Sequence, residues 1–257
     1  MFVQAGGLVV HVQEDGPEGA PPLLMLHSLG TSLHVWDGPV AALARRWRVI
    51  RPDLRGHGLT SVTPGPYTLA MLARDALAVL DARGIGRAAL CGLSIGGAIA
   101  QALAALAPER VAALVLCDTA MQFLPPEAWH ERARIVRSQG MEPLVAPVLA
   151  RWVTAAFQDD PAAEGLRAML RRTAPEGYAG AAEALATGDL RASTAGLRVP
   201  TLVLVGAQDE ATPPAAAAAI AAAIPGARLV TIDRAAHLPT VERPAEVAAA
   251  IADFLGS

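Results

Sequence analysis

The sequence predicts an α/β fold: a mostly parallel, doubly wound sheet with an inserted helical cap. Short apolar runs alternate with stretches of helix length, and one long interval without such runs interrupts the alternation. The length of 257 residues and the hydrophobic content of 53% suit one large domain with a sizeable core.

The chain begins with a predicted β-hairpin, because the alternating segment LVVHVQ follows the turn-forming residues AGG. The later apolar runs do not alternate and are separated by helical patterns, which indicates parallel strands covered on both faces. These runs are PLLMLH (22–27), RVIRPD (48–53), AALCG (88–92), AALVLCD (112–118), TLVLVGAQD (201–209) and ARLVTID (227–233).

One interval, from about Met121 to Ala195, contains no strand run, and proline and glycine residues separate its helical stretches. We expect this block to lie over the carboxyl edge of the sheet, where ligands bind in open α/β sheets. The sequence therefore predicts a core of residues 1–120 and 196–257, with residues 121–195 as a cap.

Composition and charge exclude several classes of protein. The net charge is −3 and no Lys/Arg cluster is interleaved with aromatic residues, which argues against nucleic-acid binding. No apolar stretch reaches the ~18 residues of a membrane helix, and no leader pattern is present. Cys91 and Cys117 are expected to be free buried thiols, as suits a cytoplasmic protein.

Cofactor motifs are also missing from the sequence. No set of His, Cys, Asp and Glu residues has metal-ligand spacing, and there is no phosphate-binding loop. The segment GIGRAA (84–89) precedes a strand run, whereas a dinucleotide fingerprint follows one. We therefore expect no metal and no other cofactor.

The segment GLSIG places Ser94 between a strand run and a helical stretch. In this context the G-x-S-x-G pattern predicts a nucleophile on a sharp turn, whose strained backbone costs about 1–3 kcal/mol and needs small neighbours. The alternative is a structural serine packed in a tight turn.

A serine hydroxyl needs a base to become a good nucleophile. Of the six histidines, His237 follows the last strand run in a loop that leaves the sheet at the same edge as the Ser94 turn. His57, in DLRGHG, is expected to organise its own loop instead.

The base in turn needs an acid that holds its tautomer. Asp209 ends the run TLVLVGAQD, and Thr212 is expected to cap the helix that follows. The order Ser94, Asp209, His237 is that of one known triad architecture. Asp118, at the end of the preceding strand run, is a rival acid at the same edge.

A tetrahedral oxyanion needs backbone N–H donors. By position these are the N–H groups of Ile95, directly after the nucleophile, and of Leu29, in the loop MLHSLGT. We expect His27 to brace that loop and Gly30 to let it bend.

The motifs DLRGHG, GLSIGG, GAQD and AAHLPTVERP together resemble those of the α/β-hydrolase superfamily. Other stretches make the chain most similar to the 3-oxoadipate enol-lactonases, and this resemblance spans essentially the whole chain. They are HSLGTSLHVWD, GPYT, CGLSIGG, PPEAW, RW (151–152) and PEGYAG. His27 and Asp118 stand where that family pattern leads us to expect asparagine.

The resemblance implies a serine hydrolase that opens the carboxylic-ester ring of 3-oxoadipate enol-lactone in the β-ketoadipate pathway of aromatic-compound degradation. A carboxylesterase of broader specificity or a perhydrolase-type enzyme is the alternative, and a non-catalytic small-molecule receptor is the alternative from a different class. The partner would be a small lactone or ester that carries a carboxylate, bound by a monomer or small homo-oligomer.

The carboxylate of such a substrate would need a cation. Among the cap arginines, Arg134 and Arg151 are the candidates, and Trp152 and Trp36 are candidate walls of the pocket. The alternative for each arginine is a solvated residue on the surface, and the alternative for each tryptophan is a side chain that packs without contacting a substrate. The other cap arginines considered are Arg132, Arg137, Arg171 and Arg172.

Overall fold

Residues 1–256, which the computed structural model describes, form a central sheet of eight strands. The strands are β1 (Phe2–Ala5), β2 (Leu8–Asp15), β3 (Pro22–Leu26), β4 (Arg48–Pro52), β5 (Ala88–Leu93), β6 (Val111–Cys117), β7 (Thr201–Gly206) and β8 (Arg228–Ile232). They lie in the order β1-β2-β4-β3-β5-β6-β7-β8. The strands from β3 to β8 are parallel, whereas β2 pairs antiparallel with both β1 and β4. The predicted mostly parallel, doubly wound sheet is confirmed.

Helices cover both faces of this sheet. Within residues 1–256 they are α1 (Asp37–Leu43), α2 (Leu69–Ala82), α3 (Ile95–Leu106), α4 (Pro126–Gln139), α5 (Glu142–Trp152), α6 (Pro161–Arg172), α7 (Pro175–Thr187), α8 (Arg191–Ala195), α9 (Pro214–Ala223), α10 (Pro239–Glu242) and α11 (Pro244–Gly256). In this part of the chain, no helix combines the length and the apolar character that crossing a bilayer requires.

The central strands show why their sequences do not alternate. Every residue of β5 and of β7 is buried, because helices pack on both faces of the sheet at these strands. In β2, by contrast, Leu8, Val10 and Val12 are buried while Val9 is exposed, as expected for a strand with one face toward water.

Helices α4 to α8 lie between β6 and β7 in the chain. The two ends of this segment meet, because Gln122 forms a β-bridge with Asp189 and the N–H of Leu190 donates to the carbonyl of Met121 at 2.8 Å. A segment that leaves and returns at neighbouring points has the geometry of an insertion. The division into core and cap stays a prediction.

The insert rests on a core loop at one very close contact. A Cβ atom placed on Gly177, in α7, would lie 2.0 Å from the carbonyl oxygen of Gly56. Gly56 itself has a φ of +74°, so neither residue tolerates a side chain without movement of the backbone.

We expect Gly177→Ala to lower the free energy of unfolding by about 1–3 kcal/mol, because the added methyl group overpacks this contact. Gly165→Ala is the matched control, since Gly165 lies in α6 and a Cβ there meets nothing within 4 Å. The control is expected to be neutral or to stabilise by up to about 1 kcal/mol. Denaturant unfolding measures both, and equal free energies for the two variants would contradict the close contact.

Candidate active site

Ser94 lies on a sharp turn between the end of β5 and the start of α3. Its backbone has a φ of 57° and a ψ of −117°, a conformation that costs a non-glycine residue about 1–3 kcal/mol. Two contacts from the neighbouring segment hold it. The N–H of Ser94 donates to the carbonyl of Cys117 at 2.9 Å, and its carbonyl accepts from the hydroxyl of Thr119 at 2.6 Å.

The glycines beside Ser94 are required by close backbone approaches. A Cβ atom on Gly92 would lie 2.2 Å from the carbonyl oxygen of Gly96. A Cβ atom on Gly96 would lie 2.3 Å from the carbonyl oxygen of Leu26, in β3. The strained turn therefore forms only with glycine at both positions.

His237 and Asp209 lie side by side at the carboxyl edge of the sheet, each 3% exposed. His237 Nδ1 lies 2.9 Å from Asp209 Oδ2. Asp209 also accepts the N–H groups of Ala211 and Thr212, at 2.7 and 3.0 Å, and the Thr212 hydroxyl at 2.7 Å. Burial opposes ionisation of Asp209, but the charge interaction with His237 and these hydrogen bonds outweigh it, and the pKa lies below its usual value.

The structure corrects the expectation for Thr212. Helix α9 begins at Pro214 after Pro213, and no side chain caps it. The Thr212 hydroxyl donates to Asp209 instead, so Thr212 orients the acid and does not cap the helix.

Asp118, the rival acid, also lies in this cluster. One ligating atom each of Asp118, Asp209 and His237 lies within 4.8 Å of the others. Such a group could hold a cation, although the spacing of the three residues in the sequence did not indicate a metal site. Asp209 accepts four hydrogen bonds here, one of them with His237, so a cation would have to replace contacts already made.

The two expected oxyanion donors lie next to Ser94. Leu29 lines the same cavity as Ser94 and His237. Ile95 is the first residue of α3, so its N–H has no acceptor within the helix.

Two buried histidines hold the loop that carries Leu29. His27 Nε2 accepts the N–H of Leu54 at 2.9 Å, and His57 Nε2 accepts the N–H of Gly30 at 3.1 Å. Each Nδ1 lies against a backbone carbonyl and therefore carries the proton, so both rings are neutral donors and acceptors. Burial lowers the pKa of both imidazoles, that of His57 to about 3.

A cavity lies above Ser94, between the core and the helical insert. The insert contributes Phe123, Trp129, Arg132, Arg151, Trp152 and Tyr178 to its lining. Two of the predicted contact residues, Arg151 and Trp152, are therefore at the cavity. The Arg151 guanidinium also donates to the carbonyl of Glu210 at 2.8 Å.

The structure places Arg134 and Trp36 away from this cavity, which corrects both expectations. The Arg134 side chain is 65% exposed and pairs with Glu131 one turn earlier on α4. Trp36 is fully buried in a short turn before α1, so it packs in the core.

Arg132, one of the cap arginines that the sequence offered without singling it out, also lines the cavity. Its guanidinium lies over the ring of Trp129, 4.7 Å from the centroid. Burial raises the pKa of the neighbouring Tyr178, and the charge and hydrogen bonding of Arg132 partly offset that rise. Helical periodicity could have identified Arg132 from the sequence. Ala133 and Val136 mark the buried face of α4, and position 132 lies nearer to that face than position 134.

The loop that carries His237 is tied to the insert. Glu242 is 5% exposed, and its carboxylate accepts the N–H of Ala236 at 2.7 Å. The other carboxylate oxygen accepts the N–H and the hydroxyl of Thr154, at 3.0 and 2.7 Å. Nothing in the sequence singles out Glu242, because its partner Thr154 lies 88 positions away in the chain.

We expect the buried neutral histidines to make the fold sensitive to acid. Because the pKa of His57 is lowered from 6.5 to about 3, the unfolded chain binds a proton between these pH values that the folded chain does not bind. Stability therefore falls as pH falls through this window, by about 1.4 kcal/mol per pH unit for one such group.

The test is the slope of unfolding free energy against pH between about 6 and 4. In His57→Gln the slope is expected to be shallower by about 1.4 kcal/mol per pH unit, the contribution of one proton. His130→Gln is the control, because His130 is exposed on α4, and it should leave the slope unchanged. A His57→Gln slope equal to that of the parent protein would refute the assignment.

Comparison with known proteins agrees with this geometry. The sequence model of the alpha/beta hydrolase fold family matches residues 21–244. The chain is 37% identical over 231 residues to 3-oxoadipate enol-lactonase 2 of Acinetobacter baylyi, an alignment that covers 89% of this chain and 86% of that protein.

Solved structures give the same picture. The enol-lactonase from Burkholderia xenovorans LB400 is 39% identical, with a TM-score of 0.97 and full coverage of both chains. A thermophilic esterase from Thermogutta terrifontis, solved with malate bound, is 31% identical with a TM-score of 0.93, covering 99% of this chain and 97% of that one. The resemblance inferred from the sequence motifs is confirmed, and the chain belongs to the alpha/beta hydrolase fold family as an enzyme of the hydrolase class.

Proposed function

We propose that the protein is a serine hydrolase that opens 3-oxoadipate enol-lactone to 3-oxoadipate, in the β-ketoadipate pathway of aromatic-compound degradation. The observation that carries the proposal is one cavity that holds Ser94, His237 and two arginine side chains together. A hydroxyl and an imidazole suit attack on an ester, and a nearby cation suits a substrate that also carries a carboxylate.

In this mechanism the Ser94 hydroxyl attacks the carbonyl carbon of the lactone, and His237 takes its proton. Nε2 is the accepting nitrogen, because Nδ1 faces Asp209. The N–H groups of Leu29 and Ile95 donate to the oxyanion of the tetrahedral intermediate. Asp209 is ionised at neutral pH, since its pKa is lowered, and it stabilises the imidazolium that forms.

Collapse of the intermediate breaks the ring C–O bond. The enol oxygen leaves with the proton from His237, and the enol then tautomerises to a ketone. Because the ring has opened, the leaving group stays attached to the acyl chain on Ser94. Water, deprotonated by His237, attacks the acyl-enzyme, and the returned proton regenerates the Ser94 hydroxyl as the diacid leaves.

Arg132 and Arg151 are proposed to bind the free carboxylate of the substrate. Among residues 1–256 no carboxylate forms an ion pair with Arg132, although it lies half-buried at the cavity over Trp129. A cation without an acidic partner is available to an anionic ligand. Malate, bound by the Thermogutta terrifontis esterase, also carries carboxylate groups.

The insert, residues 121–195, is proposed to act as a cap over this site. It supplies both arginines and most of the aromatic lining, so the core alone would present an open serine turn. A covered site excludes water and strengthens the interaction of arginine with a carboxylate.

A carboxylesterase of broader specificity is the second candidate function. The 31% identity to the Thermogutta terrifontis esterase over nearly the whole chain favours it. The two candidates share the same nucleophile and differ in whether a carboxylate on the substrate is required.

Ser94→Ala is expected to lower kcat for the lactone by about 10⁴-fold or more, because it removes the nucleophile and leaves the cavity intact. The assay follows enol-lactone generated from muconolactone and, separately, p-nitrophenyl esters. Turnover of the esters but not of the lactone would contradict the specific proposal. Binding of the lactone without turnover of either substrate would indicate a receptor.

Arg132→Gln is expected to raise KM for the lactone roughly tenfold to a hundredfold, the value of a charged hydrogen bond. KM for p-nitrophenyl acetate, which has no carboxylate, should change by less than about twofold. Arg134→Gln is the control on the same helix, since Arg134 is exposed and paired with Glu131. Equal effects of the two variants on the lactone would count against the role of Arg132.

A further inference from the structure

Asp118 is a buried carboxyl group that the proposed mechanism does not use. It follows directly after β6 and has a φ of 44°. Oδ1 accepts the N–H of Gly206, the last residue of β7, at 2.8 Å. Oδ2 is equally buried, yet within residues 1–256 it has no hydrogen-bond partner as long as the group is a carboxylate. An unpaired buried carboxylate oxygen is costly.

Asp209 is the second carboxyl group in this cluster. One oxygen of each carboxyl group and one ring nitrogen of His237 lie within 4.8 Å of one another. The Cys117 thiol is the other titratable group beside Asp118. Two buried carboxylates at this separation repel each other, so one of them takes up a proton. A protonated carboxyl group also has an O–H donor, which the unpaired oxygen lacks.

The number of donors decides which group holds the proton. Asp209 accepts four hydrogen bonds and faces His237, whereas Asp118 accepts one. Burial, and then the charge of Asp209, raise the pKa of Asp118 well above its usual value, while the pKa of Asp209 is lowered.

We propose that Asp118 is a neutral carboxylic acid whose Oδ2–H donates a hydrogen bond to the Asp209 carboxylate. Asp118 is then a positioning residue, which acts on His237 only through Asp209. It confines the negative charge of the cluster to Asp209 and fixes the orientation of that carboxylate by a short, charge-assisted contact. The role in turnover rests on the proposed function, but the protonation state does not.

The kinetic test compares Asp118→Asn with Asp118→Leu. The amide has the same shape as the neutral acid and can accept from Gly206 while its N–H₂ donates to Asp209. We expect Asp118→Asn to keep kcat/KM within about threefold, with an unchanged pH profile. Leucine cannot donate, so Asp118→Leu should lower kcat about tenfold to a hundredfold and move the acidic limb of kcat/KM to higher pH, because the unsupported Asp209 becomes more basic.

A purely structural role of Asp118 would reduce activity without moving that limb, so an unshifted profile in Asp118→Leu would overturn the positioning role. If Asp118 were instead the ionised acid of the site, Asp118→Asn would lose activity as severely as Asp209→Asn, and the proposal would also fail.

A spectroscopic test does not depend on turnover or on the folding of the leucine variant. Infrared difference spectra of the Ser94→Ala protein, with and without Asp118→Asn, should show a protonated-carboxyl C=O band at neutral pH that disappears with Asp118. Absence of the band overturns the proposal. If the band is present while no ester or lactone is hydrolysed by the parent protein, the proposed function fails and the protonated Asp118 stands.

Discussion

The left-handed backbone of Ser94 is the constraint on which the arrangement of the site depends. It is held by Cys117, the last residue of β6, whose carbonyl accepts its N–H, and by Thr119, whose hydroxyl donates to its carbonyl. The strained turn and the pairing of β5 with β6 are therefore formed together. Once Ser94 is fixed at the end of β5, its partners have to come from the ends of neighbouring parallel strands, where loops converge at one edge.

The site is built from both the core and the insert. The core fixes the serine turn, but both loops beside it are held in part by the insert. The hydroxyl of Thr173 donates to the carbonyl of Gly30 at 3.2 Å, next to Leu29. The N–H of Leu238 donates to the carbonyl of Trp152 at 2.9 Å, next to His237. Movement of the insert away from the core would break these contacts or move the loops with it.

Glu242 strengthens that coupling, because one buried carboxylate accepts donors from the His237 loop and from the residue two positions after α5 ends. Both oxygens of this buried carboxylate accept hydrogen bonds, so its removal would leave the N–H groups of Ala236 and Thr154 without this partner. The position of the insert and the position of His237 are thus set by the same side chain.

Local pattern was enough to find Ser94, Asp209 and His237 as neighbours, because each follows a strand and the ends of parallel strands meet. The same kind of pattern favours Arg132 over Arg134, because position 132 lies nearer to the buried face of α4. It did not predict the contacts of Trp36 and Thr212, because a sequence does not show which of several available contacts a side chain makes. Trp36 packs in the core, and the Thr212 hydroxyl donates to Asp209.

The sequence favours Asp209 as the acid, as in a known triad architecture, and leaves Asp118 as a rival. Both are aspartates just after a strand at the same edge, so residue type and position are alike. What separates them is the set of donors around each carboxyl group, four for Asp209 and one for Asp118. Three of the Asp209 donors belong to the loop after β7, and the fourth is His237. A second ionised carboxylate at Asp118 would also oppose the negative charge that develops on the substrate oxygen beside α3. In the proposed mechanism, a neutral Asp118 leaves Asp209 as the one ionised carboxylate of the cluster, and the oxyanion faces the positive end of α3 and the backbone N–H groups.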